Sequence, residues 1–277
     1  MRELKLLLMF VFIISLILPL RVFAGDTGMA EETVKNGAEE KSGEVHYLDE
    51  VVTTATRIPH LLKYTPSSVT VITRDRIEAA NPQDVADVLE DIAGLKIERY
   101  GSMGANSTVH IRGLYSSHVL VMVDGRPVNS PSTGSADLSW LSVDNIERIE
   151  VVRGPGSALY GANAVAGVIN IITKSPPEEF TAKVTTSYGT WDTLITRLEN
   201  GWKLGDFSYS VTANRKNSNG YRDNSAHESR DISAKLFYEF DKEVNLSLSG
   251  GHYHGRTENP GAKPAENFNM RTGSQQL

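Results

Sequence analysis

The stretch VRGPGSALYGANAVAGVINIITK, Val152 to Lys174, decides how the rest of the chain is read. Gly154, Pro155, Gly156, Gly161 and Gly167 punctuate a run that is otherwise small or apolar. A glycine loop followed by small residues is one way to cradle a phosphate. A β-branched run ending in Thr-Lys is one way to build a buried strand. The spacing separates the two. Leu159 occupies the third glycine position of a G-x-G-x-x-G loop and no G-K-[ST] is present, so neither phosphate-binding loop is present. Ser157 lies between Pro155 and Leu159 rather than between glycines, which rules out a nucleophile elbow. The remaining reading is structural. Gly154-Pro155-Gly156 makes a sharp turn, SALYGANAVAG lets backbones approach closely, and VINIITK is a buried edge or return strand.

Working outward, IERIEVVRG precedes this stretch as a strand. STVHIRGL and HVLVMVDGRPV are further strands, the second carrying an Asp-Gly turn signal. SSVTVITRD reads as a strand from Ser67. NPQDVADVLEDIAGLKI reads as a helix that Asn81 caps and Gly94 ends, with Pro82 in its first turn. Val85, Val88, Leu89 and Ile92 share one face of it. Residues 58–176 therefore read as a small α+β domain.

Beyond Pro176-Pro177 the period changes to two. Phe207, Tyr209, Val211 and Ala213 alternate with Ser208, Ser210, Thr212 and Asn214, and Ile232 to Phe240 repeats the pattern. Five such runs end near Gly255. Each has about the length a tilted strand needs to cross a bilayer, with aromatics near the ends. Turns at Gly205-Asp206 and Asp241-Lys242 are short, while the connection from Lys216 to Ser229 is long and polar. A soluble β-sandwich also alternates. The loop asymmetry favours a transmembrane barrel, and so does the N-terminus. MRELKLLLMFVFIISLILPLRVFA has Arg2 and Lys5 before an apolar core, then Val22 and Ala24 at a cleavage position. That is a secretory signal peptide over 1–24; the competing reading, a membrane anchor, needs roughly 20 apolar residues. Residues 25–48 form an acidic, flexible linker.

Composition narrows the function. The chain has 277 residues, a formal charge of −6 and no cysteine. No nucleic-acid footprint, thiol nucleophile or cysteine-zinc site is expected. No catalytic constellation is present, and His252 and His254 read as rim histidines rather than ligands. LDEVVTTATR, residues 48–57, is a short β-branched island after the linker; it reads either as a first strand or as one that a partner's sheet borrows through main-chain hydrogen bonds.

Taken together, DEVVTTATR, IRGL, VLVMVDGRPVN, IERIEVVRGPGSALYGANAVAGVINIITK and the alternating strands resemble TonB-dependent outer-membrane transporters, most closely the cobalamin receptor subgroup. The resemblance implies an α+β plug domain at 58–176, followed at 177–277 by the N-terminal strands of a transmembrane antiparallel β-barrel of roughly 22 strands, incomplete in this chain. It implies a cell outer-membrane receptor, not an enzyme, whose partners are TonB, outer-membrane lipid and a large scarce nutrient: cobalamin, or an iron-siderophore or haem. Asp49, Glu50, Val51, Val52, Thr53, Thr54 and Ala55 then match the TonB box within 49–57, with Thr53 where the family has an apolar residue. Arg112 and Arg153 match plug arginines that pair with barrel-wall glutamates. Ligand contact falls on two plug apices, at Ser102, Met103, Ala105 and Asn106 and at Ser130, Pro131, Ser132 and Thr133. No cofactor is implied, except that the subgroup's acidic early loops bind calcium. Asp223 and Asp231, with Asn224 and Glu228, are the weak candidates here, and an ordinary charged loop is the competing reading. Five strands leave unpaired edges in lipid. The chain is therefore expected to be a fragment or truncated form that does not transport alone; a plug that merely occupies TonB is the alternative.

Overall fold

The computed structural model describes residues 51–52, 54, 60–61, 68–241, 244–261 and 270–272. The signal peptide, the acidic linker and Asp49, Glu50, Thr53 and Ala55 lie outside the described residues. A two-residue strand β1 (Val51–Val52) pairs antiparallel with β2 (His60–Leu61). The α+β domain follows. β3 (Ser68–Thr73) runs directly into helix α1 (Arg74–Ala80), and α2 (Val85–Glu90) comes next.

These helices correct the sequence reading. One helix beginning at Asn81 was expected, and α1 was not. Instead Asn81 closes α1 in the left-handed region at φ 45°, and its N–H donates to the Glu78 carbonyl. Pro82 explains the break: it disfavours helical geometry at the residue before it and lacks an N–H. The true cap of α2 is Asp84, whose carboxylate accepts the Asp87 N–H at 3.0 Å. Arg99 clamps this cap by pairing with Asp84 and Asp87. α1 carries only one buried apolar residue, Ile77, so it has no helical period to read.

The domain's sheet has the order β3-β8-β9-β6-β7, with β6 (Val119–Val123), β7 (Arg126–Pro127), β8 (Ile146–Arg153) and β9 (Gly167–Thr173). A separate pair, β4 (Leu95–Arg99) and β5 (Ser107–Ile111), lies beside α2. β9 is central, antiparallel to β8 and parallel to β6. VINIITK is therefore not an edge strand: it returns antiparallel along β8 and lies in the middle of the sheet. Its burial on both faces explains its continuous β-branched run. One face packs Ile149, Val151, Ile169 and Ile171 against Val85 and Leu89 of α2 and Ile92 just beyond its end. The other packs Leu120, Met122, Val152 and Val168 under Ala164 and Tyr160. Those two lids come from helix α3 (Ser157–Tyr160) and the 3-10 turn Ala162–Ala164, which fold the small-residue stretch back over the sheet. Gly167 is required at the start of β9, because a Cβ there would meet the Val152 carbonyl and the Ile111 side chain.

The alternating half forms one antiparallel sheet in chain order: β10 (Thr181–Gly189), β11 (Thr193–Leu204), β12 (Phe207–Ser218), β13 (His227–Glu239), β14 (Asn245–Asn259) and the short β15 (Met270–Thr272). Strands run further than the expected five, and the polar connection shrinks to 219–226. A 12-residue strand covers ~40 Å along its axis, or ~30 Å of height at a tilt near 40°, enough for a bilayer's apolar band. Outward positions carry Leu198, Phe207, Ile232, Leu236, Leu246 and Leu248, all exposed. Inward positions on β12 and β13 carry Ser208, Ser210, Thr212, His227 and Ser229, all buried against the plug side. Aromatic pairs Phe180–Trp202, Phe207–Tyr209 and Tyr238–Phe240 mark one end of the band, and Trp191–Tyr221 marks the other. Among the described residues no helix is long and apolar enough to cross a membrane, which says nothing about these strands.

The inner wall holds the plug by polar contacts. Lys174 pairs with Glu199 at 3.0 Å, Arg197 pairs with Asp144, and Asn214 donates to Asp144 at 2.8 Å. Lys216 donates to the Gln83 carbonyl at 2.7 Å, and Lys235 donates to Thr173 at 3.1 Å.

Candidate functional site

The first site is built on the second face of the plug sheet. In the middle of that face, beside Val152 and Val168, stands a polar cross-strand pair, Glu150 of β8 opposite Asn170 of β9. Glu150 is fully buried, and Arg148 donates to one of its carboxylate oxygens at 3.0 Å. A buried carboxylate needs such partners, because its desolvation is costly. Its other oxygen accepts the backbone N–H of Thr54 at 2.9 Å. Asn170 donates to the Thr54 hydroxyl at 3.1 Å, and the Tyr160 hydroxyl donates to the Thr54 carbonyl at 2.8 Å. Thr54 is 2 % exposed. The sequence reading placed 49–55 on a tether as a strand open to a partner. The structure docks its Thr54 in a three-point polar seat and pairs Val51–Val52 with His60–Leu61.

The second site lies at the plug apices. Gly101 to Asn106 turns tightly, with Ala105 N–H donating to the Ser102 carbonyl. The turn rests on the wall: Thr257 donates to the Gly104 carbonyl at 3.1 Å and Ser102 to the Glu258 carbonyl at 3.4 Å. The second apex is held by Asn129, which donates to the carbonyls of Val119 and Gly134, leaving Pro131, Ser132 and Thr133 exposed. Asn106 from the first apex and Ser130 to Thr133 from the second line one open cavity of about 950 Å³, together with Arg126, Asp137 and Trp140 of the plug and Gly250-Gly251 of the wall. Ser102, Met103 and Ala105 do not line it.

The third feature is a pair of arginines. Arg112 is exposed at φ 51°. Arg153 donates to Thr70 at 2.6 Å and to Ser68, but its Nη1 is buried with no hydrogen-bond partner. Burial, and then the neighbouring Arg112 guanidinium, push its pKa down. Neither arginine has a carboxylate partner among the described residues.

Comparison with known proteins fits this geometry. Residues 62–168 match the TonB-dependent receptor plug domain. The vitamin B12 transporter BtuB of Vibrio vulnificus strain YJ016 is 32% identical over 216 residues, covering 75% of this chain and 35% of the relative. Its counterpart from strain CMCP6 is 42% identical over 132 residues, covering 48% and 22%. Over residues 62–168 the chain carries the plug domain of the TonB-dependent outer-membrane receptors. It spans about a third or less of the length of the curated relatives it matches. Among solved structures, the pyoverdine receptor FpvA of Pseudomonas aeruginosa PAO1 superposes with a TM-score of 0.68 at 23% identity, over 74% of this chain and 30% of that one. That likeness shows the fold, a plug within a barrel wall. The family is one of receptors and not of enzymes.

Within this receptor the acidic loop residues are not brought together. Asp231 is not in a loop: it lies in β13 and points inward, lining a crevice with Gln83, Lys216 and Tyr253. Asp223 sits in the 219–226 connection and is exposed. No group of three or more metal-ligating side chains forms among the described residues. His252 and His254 are exposed on the outward face of β14. Sequence reasoning missed the Thr54 seat, although its signal was present: Glu150 and Asn170 each interrupt a run of Ile and Val in which both faces are buried.

Proposed function

We propose that this chain is the plug and leading wall of a receptor that takes up cobalamin, driven through TonB. The observation that carries the ligand is the 32–42% identity to vitamin B12 transporters. The apical cavity of about 950 Å³ supports it, being at the upper end of ordinary small-molecule sites. In this reading Ser130 to Thr133 and Asn106 meet the ligand. The segment from Asp49 to Ala55 is the strand TonB captures, and Thr54 must leave its seat first. Arg112 and Arg153 take carboxylate partners from wall strands beyond those described. Because the chain spans a minor part of its relatives, transport is proposed of the receptor that carries it. The test is equilibrium binding of that receptor to cyanocobalamin, a ferric siderophore and haem. Saturable binding of cobalamin alone is expected. Saturable binding of siderophore or haem alone would replace the ligand and leave the receptor class intact.

A further inference from the structure

The outward face of β12–β14 changes character along its length. From the end marked by Phe207, Tyr238 and Leu246 it is apolar for several rungs, through Tyr209, Leu236 and Leu248 and then Val211, Ala234 and Gly250. It then turns basic. Register places Arg215 directly opposite Arg230, and Arg230 directly opposite His254. One rung above, Glu228 stands opposite Arg256, and one rung below, Ile232 stands opposite His252. Arg215 and Arg230 are 56% and 63% exposed, and His252, His254 and Arg256 are exposed too. Two like charges directly opposite on one face of a sheet repel. Glu228 lies between them, 3.5 Å from Arg215 and 2.8 Å from Arg230, and is one carboxylate among three guanidiniums. Glu258, the next carboxylate on this face, stands opposite Arg271. The row is therefore short of negative charge.

Its height identifies what supplies that charge. Arg215 lies eight residues beyond Phe207, ~27 Å along the strand and ~20 Å in height at a tilt near 40°. That is the far edge of an apolar band about 25 Å tall. The row is one rung below Tyr188, Leu194 and Asn217, and beside the Trp191–Tyr221 pair. The chain enters the wall from the plug at β10, so the long 219–226 connection and this row are on the outer-leaflet side. An anion here meets acyl chains below and water above, so it must be a lipid headgroup.

We propose that this basic row binds the phosphates of the outer-leaflet glycolipid, with Arg215, Arg230 and Arg256 as donors and Glu228 spacing them. Arginine matches phosphate through two parallel N–H donors. The adjacent Ile232, Leu236 and Leu248 take the acyl chains. The inference is independent of the nutrient transported and rests only on the outward face meeting lipid.

The test uses the full-length receptor carrying this segment in phosphatidylcholine nanodiscs. One arm contains bis-phosphorylated lipid A; the other contains the same lipid A with both phosphates removed. Lipid retained on the purified protein is counted by native mass spectrometry. The unaltered receptor is expected to retain the phosphorylated form about tenfold over the dephosphorylated form, the order expected of one charge-assisted contact. The triple variant R215Q/R230Q/R256Q should lose that preference while keeping the heat-resistant migration of a folded barrel. Equal retention of the two lipids by the unaltered receptor overturns the proposal whether or not the variant folds. So does displacement of lipid A by inorganic phosphate at tens of millimolar, which would make the row a free-anion site.

Discussion

Replacing Tyr160 with Phe isolates one point of the Thr54 seat. The ring stays packed against the second core cluster, and only the hydroxyl that donates to the Thr54 carbonyl is lost. A neutral hydrogen bond contributes ~0.5–1.5 kcal/mol net. The remaining holds are the Thr54 N–H on the Glu150 carboxylate and Asn170 on the Thr54 hydroxyl. If Thr54 opens locally, the open population rises by the corresponding factor, about 2- to 13-fold. Hydrogen exchange at the Thr54 amide reads this directly, because that amide is the donor to Glu150. Exchange should quicken by that factor while Val151 and Ile169, in the centre of the sheet, stay unchanged. If only the open form is captured, the apparent Kd of the TonB C-terminal domain should fall by the same factor. Unchanged exchange at Thr54 would refute the seat. Faster exchange without tighter capture would refute its role in coupling. A parallel rise across β8 and β9 would mean that Tyr160 supports the whole sheet instead.

Asp84→Ala removes the cap of α2 and a partner of Arg99; a loss of ~1 kcal/mol should quicken exchange of the Val85–Leu89 amides about fivefold. Gly104→Ala forces a side chain into left-handed backbone and into the His227 ring. It should lift residues 101–106 off the wall, seen as protease sensitivity, and adding His227→Ala should restore part of the docking but not the ~1–2 kcal/mol of backbone strain. Glu78 is held below the usual carboxylate range by its hydrogen bond from Arg74. A depressed pKa stabilises above the unperturbed value of 4.5 and is lost as pH falls. With Glu78 55% exposed, the pair is worth only ~0.3–0.5 kcal/mol. Exchange in α1, corrected for intrinsic rate, should therefore change by no more than about twofold on acidification.

The wall was legible because period two is a one-dimensional signal: each residue's face follows from its parity, as Ser208, Ser210 and Thr212 show against Phe207, Tyr209 and Val211. The strands of the plug were legible for a similar reason, as β-branched runs between turn residues. The order of those strands was not. VINIITK carries no mark of being central, since burial on both faces and burial at a covered edge leave the same run of Ile and Val. α1 was hidden because it buries only Ile77, and Asn81 was misread because Asn serves both ends of a helix. The Thr54 seat depends on residues about 100 positions away, a distance over which local pattern is silent. The two polar interruptions, Glu150 and Asn170, were the trace it left.

The contact between plug and wall has a mechanical consequence. The wall's inner face on β11 to β13 is polar, and the plug is tied to it by hydrogen bonds and ion pairs with Asp144, Lys174, Gln83 and Thr173. Bonds of this kind exchange for bonds to water at small net cost. An apolar seam would resist shear over its whole area at once. This seam yields one link at a time, so a pull on the N-terminal segment can be spent in sequence along it. Between those links Val123, Trp140, Leu141 and Ile146 line an apolar cavity against β13 and β14, so the polar ties and not an oily seam set the order in which plug and wall part.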